Sequence, residues 1–137
     1  MTTNIEQTIL KNILTNEEFM RKVLPFIRPD YFEGTYQKLF KEIGKFVGKY
    51  NKLPTVESFK IELDQSDSFN EEQYRHAVEI IPQLFSDEKV DQQWLYDTTE
   101  KWCQDRALYN AVMESISIID GKHETLSKGA LPDLLQK

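Results

Sequence analysis

Residues 91–120 read DQQWLYDTTEKWCQDRALYNAVMESISIID, thirty residues with neither glycine nor proline. At 1.5 Å per residue this is a helix of about 45 Å, well beyond the usual ~12 residues. Leu95, Thr98, Trp102, Asp105, Tyr109, Val112, Ile116 and Ile119 recur in steps of three and four. That spacing is a coiled-coil-like seam, made polar at Thr98 and Asp105. A helix of this length is expected to project from a domain this small. Gly121 is placed to end it by the C-terminal glycine rule. A further amphipathic helix is expected to begin near Leu131-Pro132-Asp133-Leu134-Leu135, and the chain stops inside it. The ending reads as that of a piece of a longer protein.

Upstream, the apolar period is also helical. Thr3 and Glu6 have capping-box spacing ahead of a helix over about Asn4–Leu14, with Ile5, Ile9, Leu10 and Ile13 on one face. Asn16 is placed to cap a second helix with Phe19, Met20, Val23 and Leu24, which Pro25 and Pro29 terminate. Tyr36, Leu39, Phe40, Ile43, Phe46, Val47 and Tyr50 share one arc of a third helix, about Thr35–Tyr50. Lys38, Lys41, Lys45 and Lys49 fall on the opposite side, with Lys52 just beyond. Pro54 ends that segment. Thr55 or Val56 opens a short helix with Phe59 and Leu63 inward. Asn70 and Gln73 form another capping-box pair, leading a helix with Tyr74, Ala77, Val78, Ile81 and Leu84 inward and a kink or early end at Pro82. Val and Ile form no alternating run, so the fold class is all-α. The expected organisation is a globular helical subdomain over 1–90 and a long helix with a truncated returning arm over 91–137.

Composition narrows the function classes. With 39 % hydrophobic and 29 % charged residues in 137, the chain suits one ordinary globular domain rather than a disordered or membrane-spanning one. The amino terminus has no secretory pattern, because Glu6, Lys11 and Asn12 interrupt any apolar core. Cys103, the single cysteine, permits no internal disulfide and fits a reducing cytosol. Two histidines and one cysteine cannot make an all-nitrogen-and-sulfur zinc site within one chain. The net charge of −6 argues against nucleic-acid binding across the whole surface.

No residue cluster carries catalysis. The string Gly44–Tyr50 is the nearest thing to a phosphate-binding loop, but its glycines are one residue too close and Tyr50 replaces the hydroxyl ligand. Gly44 and Gly48 lie one turn apart. They either admit another helix closely or are tolerated flank positions. His76 sits among Tyr74, Arg75 and Ala77 without a nearby nucleophile, and His123 lies in a turn. Cys103 beside Trp102 reads as packing. Glu71-Glu72 and Asp87-Glu88 complement helix dipoles. Lys38, Lys41, Lys45 and Lys49 are a possible partner-binding basic face. A lysine row opposite an apolar arc is also the ordinary make-up of a solvated face. Aromatic residues are not interleaved with it, which weighs against single-stranded DNA.

The order of these pieces resembles a known family. Pro29-Asp30-Tyr31-Phe32, then Tyr36…Leu39-Phe40…Ile43, then Leu53-Pro54-Thr55-Val56 and Leu63, resembles the N-terminal domain of DnaB-type replicative DNA helicases. Trp94-Leu95…Thr99-Glu100-Lys101…Gln104-Asp105-Arg106-Ala107…Asn110-Ala111 and Gly129–Asp133 look closest to the helicases of T-even-type bacteriophages. Tyr36 departs from the pattern, standing where many members have His, and Gly121–Lys128 is short.

The resemblance implies a non-catalytic collar of a hexameric motor, a globular helical part with a protruding hairpin that pairs between subunits. It implies self-association as a dimer through the hairpin and a hexamer in the full-length protein. It also implies docking of primase or a helicase loader, and a location in the cytoplasm of the infected bacterial host. No cofactor is expected here, since ATP and magnesium belong to a C-terminal ATPase this sequence lacks, as does most DNA contact. The expected oligomer interface comprises Trp102, Arg106, Tyr109, Val112, Met113, Ile116 and Ile119. These residues otherwise pack on the chain's own globular part. Arg106 is expected to stack on Trp102 or pair with Glu100 or Asp105. The competing readings are a free-standing helical adaptor, loader or regulator, and a small enzyme.

Overall fold

The computed structural model of the protein describes residues 4–86 and 88–119. Among them are six α-helices, two 3-10 turns and no strand, so the all-α expectation is borne out. The helices are α1 (Ile5–Thr15), α2 (Glu17–Val23), α3 (Gly34–Tyr50), α4 (Val56–Gln65), α5 (Glu71–Leu84) and α6 (Gln92–Ile119). The chain forms two compact units, Met1–Asp91 and Gln92–Lys137. No helix of the described residues is long and apolar enough to cross a membrane.

Local hydrogen bonding starts and stops each helix of the first unit. Asn16 Oδ1 accepts from the Phe19 amide at 3.1 Å and opens α2. Thr55 with Ser58, and Asn70 with Gln73, form reciprocal capping boxes on α4 and α5. Asn51 ends α3 in the left-handed conformation, with φ 56°. Gly34 enters α3 at φ +55°, which glycine adopts without a Cβ penalty. At α1 the cap differs from expectation. Asn4, immediately before the helix, accepts from the Glu6 amide at 2.8 Å. The Glu6 carboxylate instead accepts from the Glu33 amide at 2.8 Å and ties α1 to the start of α3. Thr3 lies outside the described residues.

The core of this unit centres on α1, which packs on α2, α3 and α5, while α3 and α4 also pack on α5. Ile9, Leu10, Ile13, Phe19, Leu39, Ile43, Phe59, Leu63 and Leu84 are almost wholly buried. Phe32 and Phe40 stack at 4.9 Å. Two expectations for α5 are corrected. Tyr74 and Val78 are exposed, and the buried face is Ala77, Ile80, Ile81 and Leu84. The face that packs inward is rotated toward Ile80. Tyr74 and Val78 instead line a shallow cleft beside Lys60, Leu63 and Asp64 of α4, where the Tyr74 hydroxyl donates to Asp64. Tyr50, on the same arc of α3 as the buried Leu39 and Ile43, is also exposed. Pro82 behaves as expected, since α5 stops two residues later.

In the second unit, α6 runs 28 residues, about 42 Å. The expected returning arm, with Gly121, His123 and Leu131–Leu135, lies outside the described residues.

Candidate association interface

Along α6 the buried side changes. Leu95, Thr99 and Trp102 are buried in its first half, within an arc of about 60° at 100° per residue. Ser115 and Ile118 are buried near its end, roughly on the opposite side. Tyr109, Val112, Met113, Ile116 and Ile119 are left as a contiguous exposed apolar stripe over the last three turns. Ile119 is 62 % exposed and Tyr109 50 %. Leu108, 67 % exposed, lies at one edge of the same stripe. It falls outside the three-and-four spacing, but it stands one turn before Val112, a signal available in the sequence.

The expected interface residues therefore divide. Five of the seven lie on the stripe. Trp102 is inside the protomer, only 8 % exposed. Arg106 is half-buried, with its guanidinium carbon 4.7 Å from the Tyr109 ring centroid. That cation–π contact uses the next turn of the helix, where an Arg side chain one turn before an aromatic ring can lie across its face. Asp105 pairs with Lys101 at 3.3 Å. Cys103 is half-buried, and burial pushes its thiol up to about 11, which leaves it protonated and unreactive near neutrality.

On the first unit, Lys41, Lys45 and Lys49 are exposed and Lys38 is half-buried. Lys45 pairs with Glu42 at 3.3 Å. Glu42 is 6 % exposed and also accepts from Ser66 Oγ at 3.2 Å. Lys49 Nζ lies 5.3 Å from the centre of the exposed Tyr50 ring, so an aromatic residue does adjoin the stripe. His76 Nδ1 is 3.0 Å from Thr35 Oγ1, and its ring meets Tyr36 edge-on. This is a packing role between α5 and α3. Burial, then the nearby Glu6 carboxylate, raise the Tyr36 hydroxyl above its ordinary range. Gly44 and Gly48 have open space where a Cβ would stand, so no helix approaches them closely among the described residues. The string Gly44–Tyr50 lies within α3, without the loop a phosphate requires. No group of three or more His, Cys, Asp or Glu among the described residues could hold a metal ion.

No protein-family model matches the chain. It is 30 % identical over 140 residues to the DnaB-like replicative helicase of Enterobacteria phage T4. The match takes in 96 % of this chain, which spans about 29 % of that relative's length. The chain is thus similar, over nearly its whole length, to part of a DnaB-like replicative helicase of the T-even phage type, as the ordered motifs around Pro29–Phe40, Leu53–Leu63 and Trp94–Ala111 led us to expect.

Proposed function

We propose that the chain is a non-catalytic collar domain of a DnaB-like replicative helicase, acting in the cytoplasm of the infected host. It organises subunits and offers a docking surface to primase or a helicase loader. ATP-driven unwinding and most DNA contact belong to the longer protein. The observation that carries this reading is the exposed stripe Tyr109, Val112, Met113, Ile116 and Ile119 on α6. Contiguous apolar surface of this kind marks an interaction site. In a two-fold pairing the same stripe supplies both sides of the contact. Each large side chain it buries contributes on the order of 1.5–3 kcal/mol before the costs of association. The match to a replicative helicase over 96 % of the chain supports the setting.

Light scattering across a concentration series tests the pairing. The chain should self-associate, and Tyr109→Asp and Ile116→Asp should each return it to a monomer by placing an unpaired charge in the contact. A strict monomer at high concentration, or association unchanged in both variants, overturns it.

A further inference from the structure

Residues 34–52 hold five lysines against one glutamate, a local charge of +4, so the rest of this −6 chain carries −10. The lysine stripe of α3 borders a groove of about 360 Å³ between the end of α3 and α4. Phe46 and Tyr50 form one wall, Lys52 and Leu53 the end, and Ser58 and Glu62 the facing wall on α4. The Phe46 and Tyr50 rings lie 4.7 Å apart. The groove has room for an aromatic or branched aliphatic side chain. Lys52 lines its end and Lys49 Nζ lies 5.3 Å from the centre of the Tyr50 ring, both lysines being exposed, and Lys38 and Lys41 continue the stripe away from it.

We propose that this groove receives an apolar side chain of an acidic amphipathic segment belonging to a partner protein, while the lysine stripe faces that segment's carboxylates. The proposal rests on reading the domain as a docking scaffold, and it does not depend on α6 pairing. Charge complementarity selects the occupant. An isolated basic strip on an acidic protein steers an acidic partner and sets its register, and the apolar groove supplies the hold. A helix laid in a groove presents anchors at spacings of three and four with charges beside them. A nucleic acid fits less well. Base stacking needs an open ring face, whereas Tyr50 is packed by Phe46 and overlain by Lys49.

The test is an NMR titration of the isotope-labelled chain with three probes. The first is a synthetic amphipathic peptide with Leu and Phe at spacings of three and four and Asp or Glu elsewhere. The second has Lys at every acidic position, and the third is an oligothymidylate. The acidic peptide should shift the amides of Phe46, Tyr50, Leu53, Ser58 and Glu62, and the basic peptide should not. The double change Lys49→Gln with Lys52→Gln should weaken binding about tenfold and flatten its salt dependence, as loss of rim charges does. Tyr50→Ala should abolish the shifts at Phe46 and Ser58. Tyr109→Asp should leave them intact. No shifts at the groove, equal shifts with the basic peptide, affinity unchanged in the lysine variant, or oligothymidylate binding in place of the peptide each overturn the proposal. Peptide binding without α6 association defeats the pairing alone, and association without peptide binding defeats the groove alone.

Discussion

Arg21 of α2 closes the C-terminus of α3. Its Nη2 donates to the Asn51 carbonyl at 3.0 Å and its Nη1 to Asn51 Oδ1 at 3.3 Å. Asn51 holds the left-handed turn that sends the chain into Lys52 and Leu53, so this contact positions one end of the α3–α4 groove. Arg21→Ala should cost about 1 kcal/mol in urea unfolding, the scale of a charge-assisted hydrogen bond near solvent. Asn51→Gly should cost less than Asn51→Val, which adds roughly 1–2 kcal/mol of left-handed strain.

Three glycines of α3 should respond oppositely to alanine. Gly44 and Gly48 have open space and helical backbone, so each Ala should stabilise by about 0.5–1 kcal/mol. Gly34 sits at φ +55°, and its Ala variant should lose about 1–2 kcal/mol. Melting curves of the three single variants decide the signs.

The lysines of the stripe are unequal. Lys45→Glu sets a like charge against the buried Glu42, now 3.3 Å from the ammonium. It should destabilise by about 1 kcal/mol, limited by the solvent exposure of that position. Lys41 makes no ion pair among the described residues, and Lys41→Glu should change stability by less than about 0.5 kcal/mol. Chemical denaturation at low salt separates the two.

Cys103 should resist alkylation. With its thiol pushed to about 11 from an ordinary 9.0, the thiolate fraction at pH 8 falls roughly a hundredfold. Iodoacetamide should therefore label the native chain far more slowly than the urea-unfolded one. Linkage has a definite sign. Between pH 9.0 and about 11 the folded chain keeps a proton that the unfolded chain releases. Stability falls as pH rises through that window, and Cys103→Ala should flatten the fall.

Neighbouring isoleucines on α6 should separate association from folding. Ile118 is 5 % exposed and Ile116 43 %. Ile118→Ala should lower the stability of the protein by about 2 kcal/mol or more. Ile116→Ala should leave unfolding of the monomer nearly unchanged while weakening self-association. Paired light-scattering and denaturation curves check this.

The sequence by itself determined the helices. Caps at Asn16, Thr55 and Asn70, the stop near Pro82, and the unbroken run before Gly121 are settled by hydrogen bonds and backbone limits within a few residues. The apolar periods also placed most of the core of the first unit, and the ordered motifs carried the likeness to a replicative helicase. Only the tertiary structure decided which apolar residues are covered. Tyr74, Val78 and Tyr50 share a period with core residues, yet they stand exposed: the packed face of α5 is rotated toward Ile80, and Tyr50 is the last residue of α3, past the turns that bury Leu39 and Ile43. The change of buried side along α6 sets Trp102 inside and leaves Tyr109 to Ile119 outside. Helical spacing says which residues share a face. Which part of that face meets another element depends on packing partners distant in sequence, and periodicity does not encode them.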